Sequence, residues 1–124
     1  MERTFFIIGS GLAGLAVATG AFGAHGLQKM VAPERLDTWE KAVRYQIYHA
    51  LALLLLAWAL TYWPEQTKLL TTAGWLFLAG VVIFSGSLYL LVLSEIRWLG
   101  AITPFGGVAF VAGWLCLVVA AWRG

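Results

Sequence analysis

The stretch YQIYHALALLLLAWALTYWPEQTK, residues 45 to 68, decides the fold. Tyr45 to Trp63 is an apolar run just long enough to cross a bilayer as a helix, since about 20 residues at 1.5 Å each cover about 30 Å of hydrocarbon. It ends in Trp63-Pro64-Glu65-Gln66-Thr67-Lys68, and a second apolar run starts at Leu69. So short a connection forces the two helices to be antiparallel neighbours.

Working outward, the same pattern recurs. Apolar runs extend from Thr4 to about Ala24, from Leu69 to Leu93 and from Trp98 to Trp122, and Ser94-Glu95-Ile96-Arg97 makes another tight connection. The first run, with its small residues near the end, has features of a signal peptide but reads as a retained span. The expected fold is therefore all-α: a single domain over residues 1–124, an integral membrane bundle of four transmembrane helices. Composition agrees. The chain of 124 residues is 61% hydrophobic and 11% charged, far from the roughly 45–50% and about 25% of soluble domains. A net charge of +2, with the Lys and Arg residues scattered between the apolar blocks, gives no nucleic-acid footprint.

The connection from about Gly26 to Arg44 is longer. Pro33 suits a first helical position, with Glu34 and Asp37 following it, and Leu36, Trp39 and Val43 recur at helical spacing. This predicts an amphipathic interfacial helix over about 33–44, with Trp39 at headgroup depth, bending or running on into the second span, with a continuous tilted helix as the alternative. The other tryptophans, Trp114 among them, read mostly as interfacial anchors near span ends. Arg3, Lys68 and Arg123 lie on the terminal side and Lys29, Arg35, Lys41, Arg44 and Arg97 on the other. The positive-inside bias of five to three then places both termini outside the cytoplasm.

Antiparallel threading brings polar residues toward one membrane face: His25, Tyr45, His49, Ser85, Ser87, Tyr89, Glu95, Arg97 and Thr103. An imidazole at His49 requires a partner in hydrocarbon, with Tyr45, Ser85 or Tyr89 within reach. Intramembrane ionisable residues are functional candidates, although both histidines also make sense as packing residues. Gly9, Ala13, Ala16, Gly20 and Ala24 form a small-residue ridge in the first span, widened by Gly11, Gly14 and Gly23. Gly106, Gly107, Ala109 and Gly113 offer a matching surface in the fourth span, for a first-to-fourth or subunit-to-subunit contact. Pro104 predicts a kink near Gly100 to Thr103, which with Gly106 and Gly107 could open a small cavity.

No catalytic residue can be assigned and no metal site is expected. There is no nucleophile with a base, no carboxylate pair and no zinc motif. Cys116, the single cysteine, cannot form an internal disulfide and reads as a packing residue. Gly20-x-x-Gly23-x-x-Gly26 lies in or at the end of a membrane helix and is not a phosphate loop. Membrane-embedded catalysis by His25, His49 and Glu95 is a minor alternative.

Four motifs carry a resemblance: Gly20-Ala21-Phe22-Gly23-Ala24-His25-Gly26-Leu27, Tyr45-x-x-Tyr48-His49-Ala50-Leu51-Ala52, Phe84-Ser85-Gly86-Ser87-Leu88-Tyr89 and Thr103-Pro104-x-Gly106-Gly107. In that order they resemble the DUF423 (UPF0382) family of small bacterial inner-membrane proteins, which has a similar eukaryotic counterpart, transmembrane protein 256. The resemblance implies a four-span inner-membrane protein and assigns no activity to any residue.

Three readings of function follow. One is an accessory or scaffolding protein, contacting the lipid bilayer and packing against itself as a homo-oligomer or against a larger membrane complex, with no cofactor. Another is an electron-transfer protein in which His25 and His49 hold a haem or a quinone. The third is a small transporter or channel formed by an oligomer, against which stand the missing internal repeat and the missing intramembrane carboxylate.

Overall fold

The computed structural model describes all residues from Met1 to Gly124 and is helical throughout. Helix α1 spans Glu2–His25, α2 Pro33–Tyr62, α3 Thr67–Gly80, α4 Gly86–Ser94 and α5 Thr103–Arg123. A π-helical turn, Val81–Ser85, joins α3 to α4, so that the two form one long span. Short 3₁₀ turns at Leu27–Lys29, Pro64–Gln66 and Arg97–Ala101 make the connections. Four of these continuous helical stretches are long and apolar enough to cross a membrane.

The expected interfacial helix is not a separate element. After Pro33 no proline or glycine interrupts the chain until Pro64, so hydrogen bonding continues unbroken through 30 residues of α2, about 45 Å at 1.5 Å per residue. Trp39, expected among the headgroups, is only 4% exposed. Its indole N–H donates to the carbonyl of Thr19 at 2.8 Å, and its ring covers Gly23. Tertiary packing has taken the aromatic that composition assigned to the interface.

The small-residue ridge of α1 also has a different partner from the expected one. It packs against α2 rather than α5. A Cβ built at Gly9 would lie 2.8 Å from the backbone carbonyl oxygen of Ala50, and one at Gly20 3.3 Å from Val43. Ala16 is buried on the same side, whereas Ala13 is half-buried and Ala24 exposed. On α5, Gly106 closes on the backbone of Phe84 and Gly113 on the ring of Phe77, both in the third span. The two glycine surfaces therefore serve two different interfaces, and α1 and α5 share no extensive contact.

The π turn explains how one span serves both neighbours. Its wider turn shifts everything beyond it by about one residue, roughly 100° around the axis. Before it, α3 packs mainly on α5 and also on α2; beyond it, α4 packs on α2. Phe5 inserts over Gly74 and against Trp75, tying the beginning of α1 to α3. Helices α1 and α5 thus lie on opposite sides of a central pair made by α2 and the third span. The main core, including Phe5, Leu53, Leu56, Leu70, Phe77 and Phe110, fills this junction.

Pro104 does not kink a helix. It stands in the first turn of α5, where its missing N–H would have no intrahelical partner and its fixed φ suits the start. The fourth span accordingly begins as the 3₁₀ turn Arg97–Ala101 and becomes α-helical at Thr103.

Candidate functional site

The polar residues that threading gathers on one face are divided by the structure among three places. The first is a buried network where α1, α2 and α4 meet. The Tyr89 hydroxyl donates to Gln46 Oε1 at 2.6 Å, and Gln46 Nε2 donates to the Leu12 carbonyl at 2.9 Å. Thr19 lies 3.2 Å from the Tyr89 hydroxyl, and Ser85, brought round by the π turn, donates to the Ala42 carbonyl at 2.7 Å. Ser87 and Thr103 form a separate hydroxyl pair at 2.6 Å that joins α4 to α5. These bonds satisfy groups whose isolation in hydrocarbon would cost several kcal/mol each.

His49 forms the second place, on the α5 side of α2. It is 4% exposed. Its Nδ1 lies 2.8 Å from the Tyr45 carbonyl, and Trp114 donates its indole N–H to Nε2 at 3.0 Å. A carbonyl only accepts and an indole N–H only donates, so the network specifies a neutral ring protonated at Nδ1. Phe110 stacks on the imidazole with ring centres 3.6 Å apart and planes 9° apart. Beside it a cleft of about 740 Å³ opens sideways between α2 and α5, lined by Tyr45, His49, Phe84, Gly107, Phe110 and Trp114 among others. Pro104 and Gly107 line it and Gly106 does not, and it does not arise from the kink expected at Pro104.

The third place is the membrane face itself. Glu95 caps α4 in the left-handed conformation, φ 60°, and its carboxylate lies 3.4 Å from Arg35 Nη1. Arg35 also donates to the Val92 carbonyl. Arg97 borders the same surface depression of about 270 Å³.

His25 joins none of these. It ends α1 and is exposed. Gly20 meets Val43 and Gly23 meets Trp39, which puts His25 near the level of residue 36, about 20 Å from His49 along α2 at 1.5 Å per residue. The two histidines of one chain therefore cannot share a haem, and His49 has no free nitrogen to offer one. Sequence reasoning missed Gln46, Thr19, Trp39, Arg35, Phe110 and Trp114. Gln46 and Thr19 carried a visible signal, as polar side chains within apolar surroundings. Trp114 carried one too, since it lies eleven residues beyond Thr103, deep within α5 rather than at its end.

Four membrane-spanning stretches, hairpin connections and an internally bonded polar interior define a small multi-pass membrane protein. The chain belongs to the DUF423 family, described as a protein of unknown function, whose model matches residues 19–107. It is 50% identical over 119 residues to the UPF0382 membrane protein YwdK of Bacillus subtilis, covering 96% of each chain. A UPF0382 membrane protein of Staphylococcus aureus (strain bovine RF122 / ET3-1) is 48% identical over 121 residues, covering 98% of this chain and 97% of its own. Another, of Staphylococcus epidermidis (strain ATCC 12228 / FDA PCI 1200), is 49% identical over 119 residues, with 95% and 94% covered. No solved structure matches the chain.

Proposed function

We propose that the protein is an accessory or assembly subunit of the bacterial inner (plasma) membrane, with both termini outside the cytoplasm. It acts by packing its helices against a second copy or a larger membrane complex. The observation that carries this reading is the internal pairing of its membrane-embedded polar groups, the buried Thr71 hydroxyl excepted. Both nitrogens of His49 are engaged, and Tyr89, Gln46, Ser85 and Ser87 bond to other helices or to each other's neighbours. These side chains specify helix packing, as polar groups do in membrane bundles. The outward face of α1 gives the packing surface: Gly11 and Gly14 would each accept a Cβ with nothing within 4 Å, beside exposed Leu15.

The test is photo-crosslinking in native membranes from a probe at Leu15, with a second probe at the exposed Val118 of α5 for comparison. A discrete crosslinked species from Leu15, weakened when Gly11 is changed to Leu, is expected. Monomer alone at both positions would overturn the proposal.

A further inference from the structure

We infer that the depression between α2, α4 and the turn opening the fourth span binds the phosphate of an anionic phospholipid, a phosphodiester carrying one negative charge. This site is independent of the accessory role; it depends on how three charged side chains are set at the edge of the bilayer.

Arg35, in the first turn of α2, reaches across to the end of α4. There it donates to the Val92 carbonyl, one of the last carbonyls of that helix, which have no partner within it. Its Nη1 lies 3.4 Å from the Glu95 carboxylate. Held by both, the guanidinium screens the negative end of α4, which would otherwise repel an anion. Glu95 takes the left-handed conformation, φ 60°, a position that usually falls to glycine. The chain reversal it makes brings Arg97 into the wall of the same depression. Arg97 is exposed and has no ion-pair partner within the chain. Two guanidiniums against one carboxylate leave a single positive charge, which one phosphodiester balances. The planar fork of an arginine matches phosphate oxygens in geometry as well as in charge.

The setting selects a lipid over a soluble phosphate. Helix α4 exposes Leu90 and Leu93, so surface suited to hydrocarbon continues to within two residues of Glu95. Trp98, beside Arg97, is exposed as well and stands where an interfacial anchor is expected. Leu91 and Val92 supply the apolar part of the wall. The depression measures about 270 Å³, just under the roughly 300–1,000 Å³ of sites that enclose a whole ligand, and so it suits a headgroup whose chains remain in the bilayer. Five of the eight Lys and Arg residues lie on this face, and basic pockets between membrane helices are recurrent sites for anionic headgroups.

The experiment is native mass spectrometry of the full-length protein in detergent, titrated with phosphatidylglycerol, phosphatidylcholine or water-soluble glycerol phosphate. One phosphatidylglycerol per chain is expected at low lipid concentration, with the other two binding at least ten-fold more weakly. Arg97→Gln removes the unpaired guanidinium and should weaken phosphatidylglycerol about ten-fold, the usual scale for a charge-assisted hydrogen bond. Glu95→Gln frees Arg35 and adds one positive charge, so binding should tighten about three-fold. Lys41→Gln removes a charge from the same face but outside the depression and should change binding less than two-fold; equal thermal stability of the three variants shows that each is folded. Four results would overturn the inference: equal uptake of phosphatidylglycerol and phosphatidylcholine, glycerol phosphate binding as tightly as the lipid, equal losses in Arg97→Gln and Lys41→Gln, or weaker binding in Glu95→Gln.

Discussion

The two sides of α2 solve the same packing problem differently. Toward α1 the contact is made by backbone: Gly9, Gly20 and Gly23 let the helices approach until carbonyls and rings meet bare Cα atoms, and Trp39 and Gln46 hydrogen-bond to α1 carbonyls. Toward α5 the contact is made by side-chain tips, with His49, Phe110 and Trp114 spanning the gap. A seam closed by glycine leaves depressions of about 540 and 260 Å³ along its edges. One bridged by rings holds the helices apart and leaves a cleft. The difference matters in a membrane, where helix association depends on close van der Waals fit and interhelical hydrogen bonds rather than on expulsion of water.

The comparison breaks most visibly at Gly9. Gly9→Val would drive a branched side chain into the Ala50 carbonyl, and overpacking of this kind costs about 1–3 kcal/mol or more. Gly107→Val, on the open seam, should change stability by less than about 0.5 kcal/mol. Denaturation by a titrated harsh detergent, followed by circular dichroism, reads both; equal losses would mean that the seams do not differ. Gln46→Leu should have the next largest effect, about 1–2 kcal/mol, because it leaves the Tyr89 hydroxyl without its acceptor. An unchanged midpoint in the same assay would show that Tyr89 finds another partner. The smallest effect belongs to the bridged seam. A double-mutant cycle of His49→Leu and Trp114→Phe should give a coupling of about 0.6 kcal/mol, the usual size for a hydrogen bond between membrane helices. A coupling of zero would remove the indole–imidazole bond from the account of that seam.

The site was legible in the sequence only in part. His49 was singled out because an imidazole in an apolar run must be satisfied, and it is, but by Trp114, which reads along the chain as one more membrane aromatic. His25 and His49 looked like a pair because each stands near the end of a span drawn from hydropathy. The structure separates them because α2 begins at Pro33, twelve residues before the apolar run does, and a continuous helix carries His49 a long way below its start. The ridge on α1 was visible, yet its partner was not: spacing shows that a surface is smooth and says nothing about which smooth or knobbed surface lies against it. The π turn had no sequence signal beyond Gly80 and Gly86 on either side, and Ser85 and Tyr89, in and beyond it, bond to α2.

By itself the sequence determined that this is an all-helical protein with four membrane crossings, that its hairpins are tight, and which family it belongs to. These depend on local quantities, namely apolar run length, turn residues and short motifs, which hydrocarbon thickness and backbone hydrogen bonding convert directly into helices. Only the tertiary structure decided that α1 packs on α2, that the polar residues divide into three groups, and that His49 is bonded to saturation beside an open cleft. Those outcomes depend on the rotation of each helix about its axis, and a single wide turn at Val81–Ser85 changes that rotation for every residue that follows in the span.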